Sequence, residues 1–118
     1  MESQKKQLED ALQQSGWRIA EREQISSDWW ADEIWTIEST WSPMGRTLFL
    51  TFLVDLMQSG TRRPGENVTA IGCSVTRPRH REEAAGEPLI YLRPSWEKNL
   101  PGFVSRLKEL RDEQRLRP

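Results

Sequence analysis

Cysteine, histidine and tyrosine each occur once in these 118 residues. A single thiol excludes an internal disulfide and cannot alone build a zinc site. Long apolar runs are also missing. The longest apolar-rich stretch, Leu48 to Val54, falls far short of the roughly 20 residues a spanning helix requires. The first ten residues, MESQKKQLED, hold no apolar core of a secretory signal. Neither a glycine-rich phosphate loop, nor a serine elbow, nor a metalloprotease helix motif is present. The expectation is a cytoplasmic protein without metal or cofactor, folded as one α+β domain over residues 1–118.

Charge of one sign is not in excess, the formal net charge being −1. Its distribution is uneven. Residues 1–60 carry five Lys and Arg against ten Asp and Glu, and residues 61–118 carry twelve against eight. Such asymmetry permits an electrostatic partner surface without calling for nucleic acid.

What the chain does have is a β-forming stretch from Asp32 to Asp55. Trp35, Ile37, Ser39 and Trp41 alternate with Ile34, Thr36, Glu38 and Thr40, the period-two pattern of a half-buried strand. Leu48, Leu50, Phe52 and Val54 alternate in the same way with Thr47, Phe49, Thr51 and Leu53. Ser42-Pro43-Met44-Gly45 suits a type I turn, with Pro43 at its second position. A four-residue loop pairs Trp41 with Arg46, Ile37 with Leu50 and Trp35 with Phe52. It collects Trp35, Ile37, Trp41, Leu48, Leu50, Phe52 and Val54 on one face. A one-residue slip would mix threonines and a glutamate into that face, so burial selects the four-residue loop. Ile34, Phe49 and Leu53 fall on the opposite face, which is either covered by a loop or offered to a partner.

Around this hairpin, residues 3 to 15 read as an amphipathic helix with Ser3 as N-cap and Gly16 in the left-handed C′ position. Trp17 to Ile25 alternates weakly and reads as an edge strand, and Ser26 to Ala31 as a turn holding Trp29-Trp30. Leu56 to Glu66 and Pro78 to Pro88 read as loops. Asn67 to Arg77 is a strand with Ile71, Cys73 and Val75 on its apolar face, and Leu89 to Leu92 is a short strand. Leu100, Phe103, Val104, Leu107 and Leu110 make the apolar stripe of a helix from about Asn99 to Arg115, with Asn99 as its cap. The expected order is α-β-β-β-β-(β)-α. Short links favour an antiparallel meander of four to five strands, with both helices packed on the Trp35/Phe52 face.

No catalytic constellation emerges. Cys73 sits on the apolar face of an inner strand, where a thiol stays protonated. His80 lies among arginines in a charged loop, and a Cys73–His80 pair would have to span that loop. Asp28, Asp32 and Glu33 lack the ligand ladder of a calcium loop. Glu82 and Glu83 point apart if extended. The helix–strands–helix order resembles a double-stranded-RNA-binding domain, but Asn99-Leu100-Pro101-Gly102 stands where that module begins its second helix with lysines.

Three functions follow as expectations. The leading one is a non-enzymatic protein-interaction domain of adaptor, chaperone or inhibitor type, acting on another protein or on a second copy of itself. Trp29, Trp30, Phe49 and Leu53 would be its contacts, with Arg62, Arg63, Arg79 and Arg81 setting orientation, since tryptophan and arginine dominate interface hot spots. The second is a small-molecule binder or weak enzyme with a pocket between sheet and helices. The third is nucleic-acid binding through the arginine-rich loops.

Overall fold

The computed structural model describes residues 3–25, 30–42, 44–54 and 68–114. The first helix, α1 (Gln4–Gln14), begins where Ser3 Oγ accepts the Lys6 N–H at 3.1 Å. It ends at Ser15 and Gly16, whose φ of +82° lets the chain turn sharply into β1 (Trp17–Gln24). There follow β2 (Ala31–Ser39), β3 (Thr47–Val54), β4 (Val68–Ser74), the one-turn helix α2 (Arg81–Ala84), β5 (Leu89–Tyr91) and α3 (Trp96–Gln114). The five strands pair antiparallel in sequence order, leaving β1 and β5 at the edges. This is the expected α+β meander, with its fifth strand present.

The anticipated apolar face is the core. Trp35, Ile37, Leu48, Leu50, Phe52, Ile71, Cys73 and Ile90 are buried on one side of the sheet. Leu8 and Leu12 of α1, with Trp96, Phe103, Val104 and Leu107 of α3, cover them. The Trp35 and Phe52 rings meet at 4.9 Å between centroids and 51° between planes, a tilted contact that adds to the gain from burial. Trp35 also donates its indole N–H to Glu33 at 2.7 Å, and Lys5 of α1 reaches the same carboxylate at 2.5 Å. That ion pair ties α1 to the face it covers.

The hairpin register departs from expectation by two residues. Trp35 pairs with Leu50 and Ile37 with Leu48, and the loop runs from Thr40 to Gly45. Ser39 N–H donates to the Arg46 carbonyl at 2.8 Å and Gly45 N–H to the Ser39 carbonyl at 2.9 Å, closing the longer loop. A two-residue slip leaves every strand side chain on its own face, so burial could not discriminate it. The consequence falls on Trp41. It leaves the sheet and stands 48% exposed in the loop, outside the core it was expected to join.

The arginine-rich segment after β4 is more than a loop. It folds across the outer face of the sheet and carries α2, whose Ala84 carbonyl lies so close to Gly72 that a Cβ there would come within 3 Å. Arg77 meets Glu23 of β1, and Arg79 donates its backbone N–H to Glu83 at 2.8 Å. Hydrogen bonds from the Arg79 guanidinium and backbone hold the Glu83 carboxyl below the usual carboxylate range. Under this cover lies a second apolar cluster of Trp30, Ala31, Leu53, Ala70 and Ala84.

Two boundaries also move. The β4 strand ends at Ser74, so Val75 is 40% exposed and lies off the apolar face. The last helix starts at Trp96 rather than Asn99, placing Pro101 inside it. An interior proline removes one helical hydrogen bond. Burial of the Trp96 indole, whose N–H donates to Gln7 at 2.7 Å, offsets that loss.

Candidate functional site: a groove between the first and last helices

Gln4 donates to the Leu92 carbonyl at 2.7 Å, and Gln7 receives the Trp96 indole N–H, so α1 and α3 start side by side. At the other end, the Arg111 guanidinium of α3 donates to Ser39 Oγ at 3.2 Å and lies 5.9 Å from the Trp17 ring. The helices therefore run parallel across the sheet. Their outward sides enclose a groove of about 530 Å³. Ala11, Leu100, Pro101 and Val104 form its apolar bed; Gln7, Gln14, Ser15, Glu97, Ser105 and Lys108 line it as well.

Trp41 closes the groove at the Ser15 end, and its placement follows from Gly16. The indole lies against the Gly16 Cα, where three of its atoms would come within 3 Å of any added Cβ. Thr40 N–H donates to the Gly16 carbonyl at 2.7 Å, and Ser39 Oγ donates to the Trp41 carbonyl at 2.8 Å. The buried Arg111 holds the same Ser39 hydroxyl. Helix cap, hairpin loop and α3 thus converge to present one large aromatic side chain at the edge of an apolar trough. Sequence reading missed this site because it counted Trp41 among the core residues. The one signal available was Gly16 itself, a residue that allows close approach as well as positive φ.

The residues singled out from the sequence lie elsewhere. Trp30 is 6% exposed and Leu53 1%, both inside the second apolar cluster, so neither offers surface to a partner in this arrangement. Phe49 is half-buried on the outer face. Arg79 is exposed but paired with Glu83 at 3.2 Å, and Arg81 is half-buried in α2. Trp29, Arg62 and Arg63 lie outside the described residues. The chain thus brings Trp30 and Leu53 together as packing, with α2 over them.

Chemistry-bearing groups are dispersed. Cys73 is buried, and burial pushes its thiol up to about 12, against a weaker opposing pull from Arg106. His80, the N-cap of α2, contacts Glu82 at 3.1 Å and Glu83 at 3.7 Å, in the strap that the segment after β4 lays across the outer face. Among the described residues, no three His, Cys, Asp or Glu side chains are grouped to hold a metal ion. Nor is any helix among them long and apolar enough to cross a membrane.

No protein-family model, curated protein or solved structure matches this chain.

Proposed function

We propose that this chain is a non-enzymatic protein-binding domain whose binding surface is the α1/α3 groove, with Trp41 as anchor. The observation that carries the reading is Trp41 itself, a tryptophan 48% exposed beside an apolar trough. Tryptophan is enriched among residues that dominate binding energy, and it does so when a partner excludes water around it. The groove's charged side chains, Glu97 and Lys108, stand at opposite ends of the helical stretch that lines it. A small ligand is usually oriented by polar groups converging on one point, whereas separated end charges suit an extended protein surface. Nucleic-acid binding is less favoured, since Arg77, Arg79 and Arg106 are all engaged by carboxylates. The lone, buried, reduced Cys73 is compatible with the cytoplasm as the proposed compartment.

Affinity capture from a lysate of the source cells tests this. Wild-type protein is compared with Trp41→Ala, which removes the anchor, and Ser105→Arg, which obstructs the trough. Both positions are exposed, so the fold is retained. A protein captured by the wild type and lost with both variants supports the reading. An unchanged set of captured proteins overturns it.

A further inference from the structure

We infer that the occupant of the groove is the same face of a second copy of this chain, laid against it about a two-fold axis. The inference rests on the reading of the groove as a protein-binding surface and adds the partner. It follows from the distribution of charge. The two ionised side chains lining the groove are Glu97, in the first turn of α3, and Lys108, eleven residues on, which is about 16 Å along the helix axis. The opposite charges adjacent to them in sequence are directed elsewhere. Lys98 lines only a neighbouring hollow with Arg93 and Pro94, which Glu97 borders as well as the groove, and Glu109 accepts from Arg106 at 2.7 Å. The groove is thus acidic at one end and basic at the other.

A two-fold contact repeats one patch against itself, so that residue i meets j while j meets i. With the two α3 helices antiparallel, Glu97 of each copy meets Lys108 of the other, and both pairs are attractive. The midpoint of that arrangement falls between Pro101 and Val104. The groove side chains around it, Pro101, Val104 and Ser105, carry no charge to hold the helices apart. Antiparallel packing also sets opposite ends of the helix dipoles side by side. A parallel arrangement would oppose Glu97 to Glu97 and Lys108 to Lys108. Trp41 lies at the Lys108 end, because it packs on Gly16 at the α1 terminus nearest Arg111. Each indole therefore extends over the far end of the other copy's trough, the end that has no aromatic of its own.

Sedimentation velocity over a concentration series, with Glu97→Lys, Lys108→Glu and the double exchange, tests the pairing. The wild type is expected to rise from the 13.8 kDa monomer to twice that mass. Each single exchange turns both symmetric pairs into like-charge contacts and weakens association roughly tenfold. The double exchange restores it. A wild type that stays monomeric at every concentration overturns the inference, as do single exchanges without effect or a double exchange that fails to recover. If the wild type stays monomeric while another protein is captured and lost with Trp41→Ala, the second-copy inference fails and the protein-binding reading stands.

Discussion

Replacing Gly16 with alanine acts on two features at once, and the two can be separated. The backbone at Gly16 has φ +82°, a conformation that costs an L-residue roughly 1–2 kcal/mol. The new methyl would also overlap three atoms of the Trp41 indole. Relieving such overpacking costs typically about 1–3 kcal/mol, so the total loss is about 2–5 kcal/mol. Gly45 supplies the control. Its φ is +81° but nothing lies within 4 Å of its Cβ position, so Gly45→Ala carries only the backbone term of roughly 1–2 kcal/mol. In a Trp41→Ala background the clash disappears, and Gly16→Ala should fall to the same level as Gly45→Ala. The assay is urea unfolding followed by far-UV circular dichroism, which stays comparable between variants that keep or lose a tryptophan. A Gly16→Ala loss that is equal with and without Trp41 would refute the placement of the indole. So would a loss no greater than that of Gly45→Ala.

Other perturbations read the remaining parts of the fold. Gly72→Ala drives a methyl into the Ala84 backbone; it should lower stability by about 2 kcal/mol or more and raise dye binding as the strap lifts off the outer face, whereas unchanged urea unfolding would exclude this close packing. Cys73 has its thiol raised from 9.0 to about 12 by burial, so its contribution to stability is intact below pH 9 and is lost as pH rises from 9 toward 12. Wild type minus Cys73→Ala should therefore slope downward by about 1.4 kcal/mol per pH unit in that window, and parallel profiles would contradict it; thiol reagents should label Cys73 only at the rate of unfolding. Arg111 is 2% exposed, stacked near Trp17 and bonded to Ser39 Oγ. Arg111→Ala should cost about 2 kcal/mol in urea unfolding through lost packing and the loss of the hydrogen bond that Ser39 Oγ accepts. Arg111→Met should recover most of that loss, because it fills the space without burying a charge; equal losses in the two variants would contradict a packing role.

The parts of this fold that obey a local period were legible in the residues. Alternation through Trp35–Ile37 and Leu48–Phe52 specified the buried face, and Ser3 and Gly16 bracketed α1. The parts that depend on relations between distant segments were not. A two-residue register change is silent to alternation, and only the loop-closing bonds of Ser39 with Arg46 and Gly45 distinguish it. Trp41 consequently read as core, although its neighbours are Gly16 and the groove. The cover on the outer face was hidden for a similar reason. Gly72 in mid-strand signals close approach of another backbone, but nothing local says that Ala84 is the segment that approaches. From the sequence, the face carrying Leu53 is open to either a loop or a partner, and the structure covers Trp30 and Leu53 with α2. The start of α3 was displaced because Pro101 is a familiar first-turn residue, whereas burial of Trp96 extends the helix upstream of it.

The most direct measurement is a dilution series of ¹⁵N-labelled protein followed by backbone amide and indole N–H resonances. If a second copy occupies the α1/α3 groove, dilution should shift Ala11, Gln14, Ser15 and the α3 amides of Leu100 and of Gly102 to Lys108. Of the indole signals of the buried tryptophans and Trp41, that of Trp41 should move most. Shifts confined to β5 or to the strap around α2, or a spectrum that does not change with concentration, would contradict it.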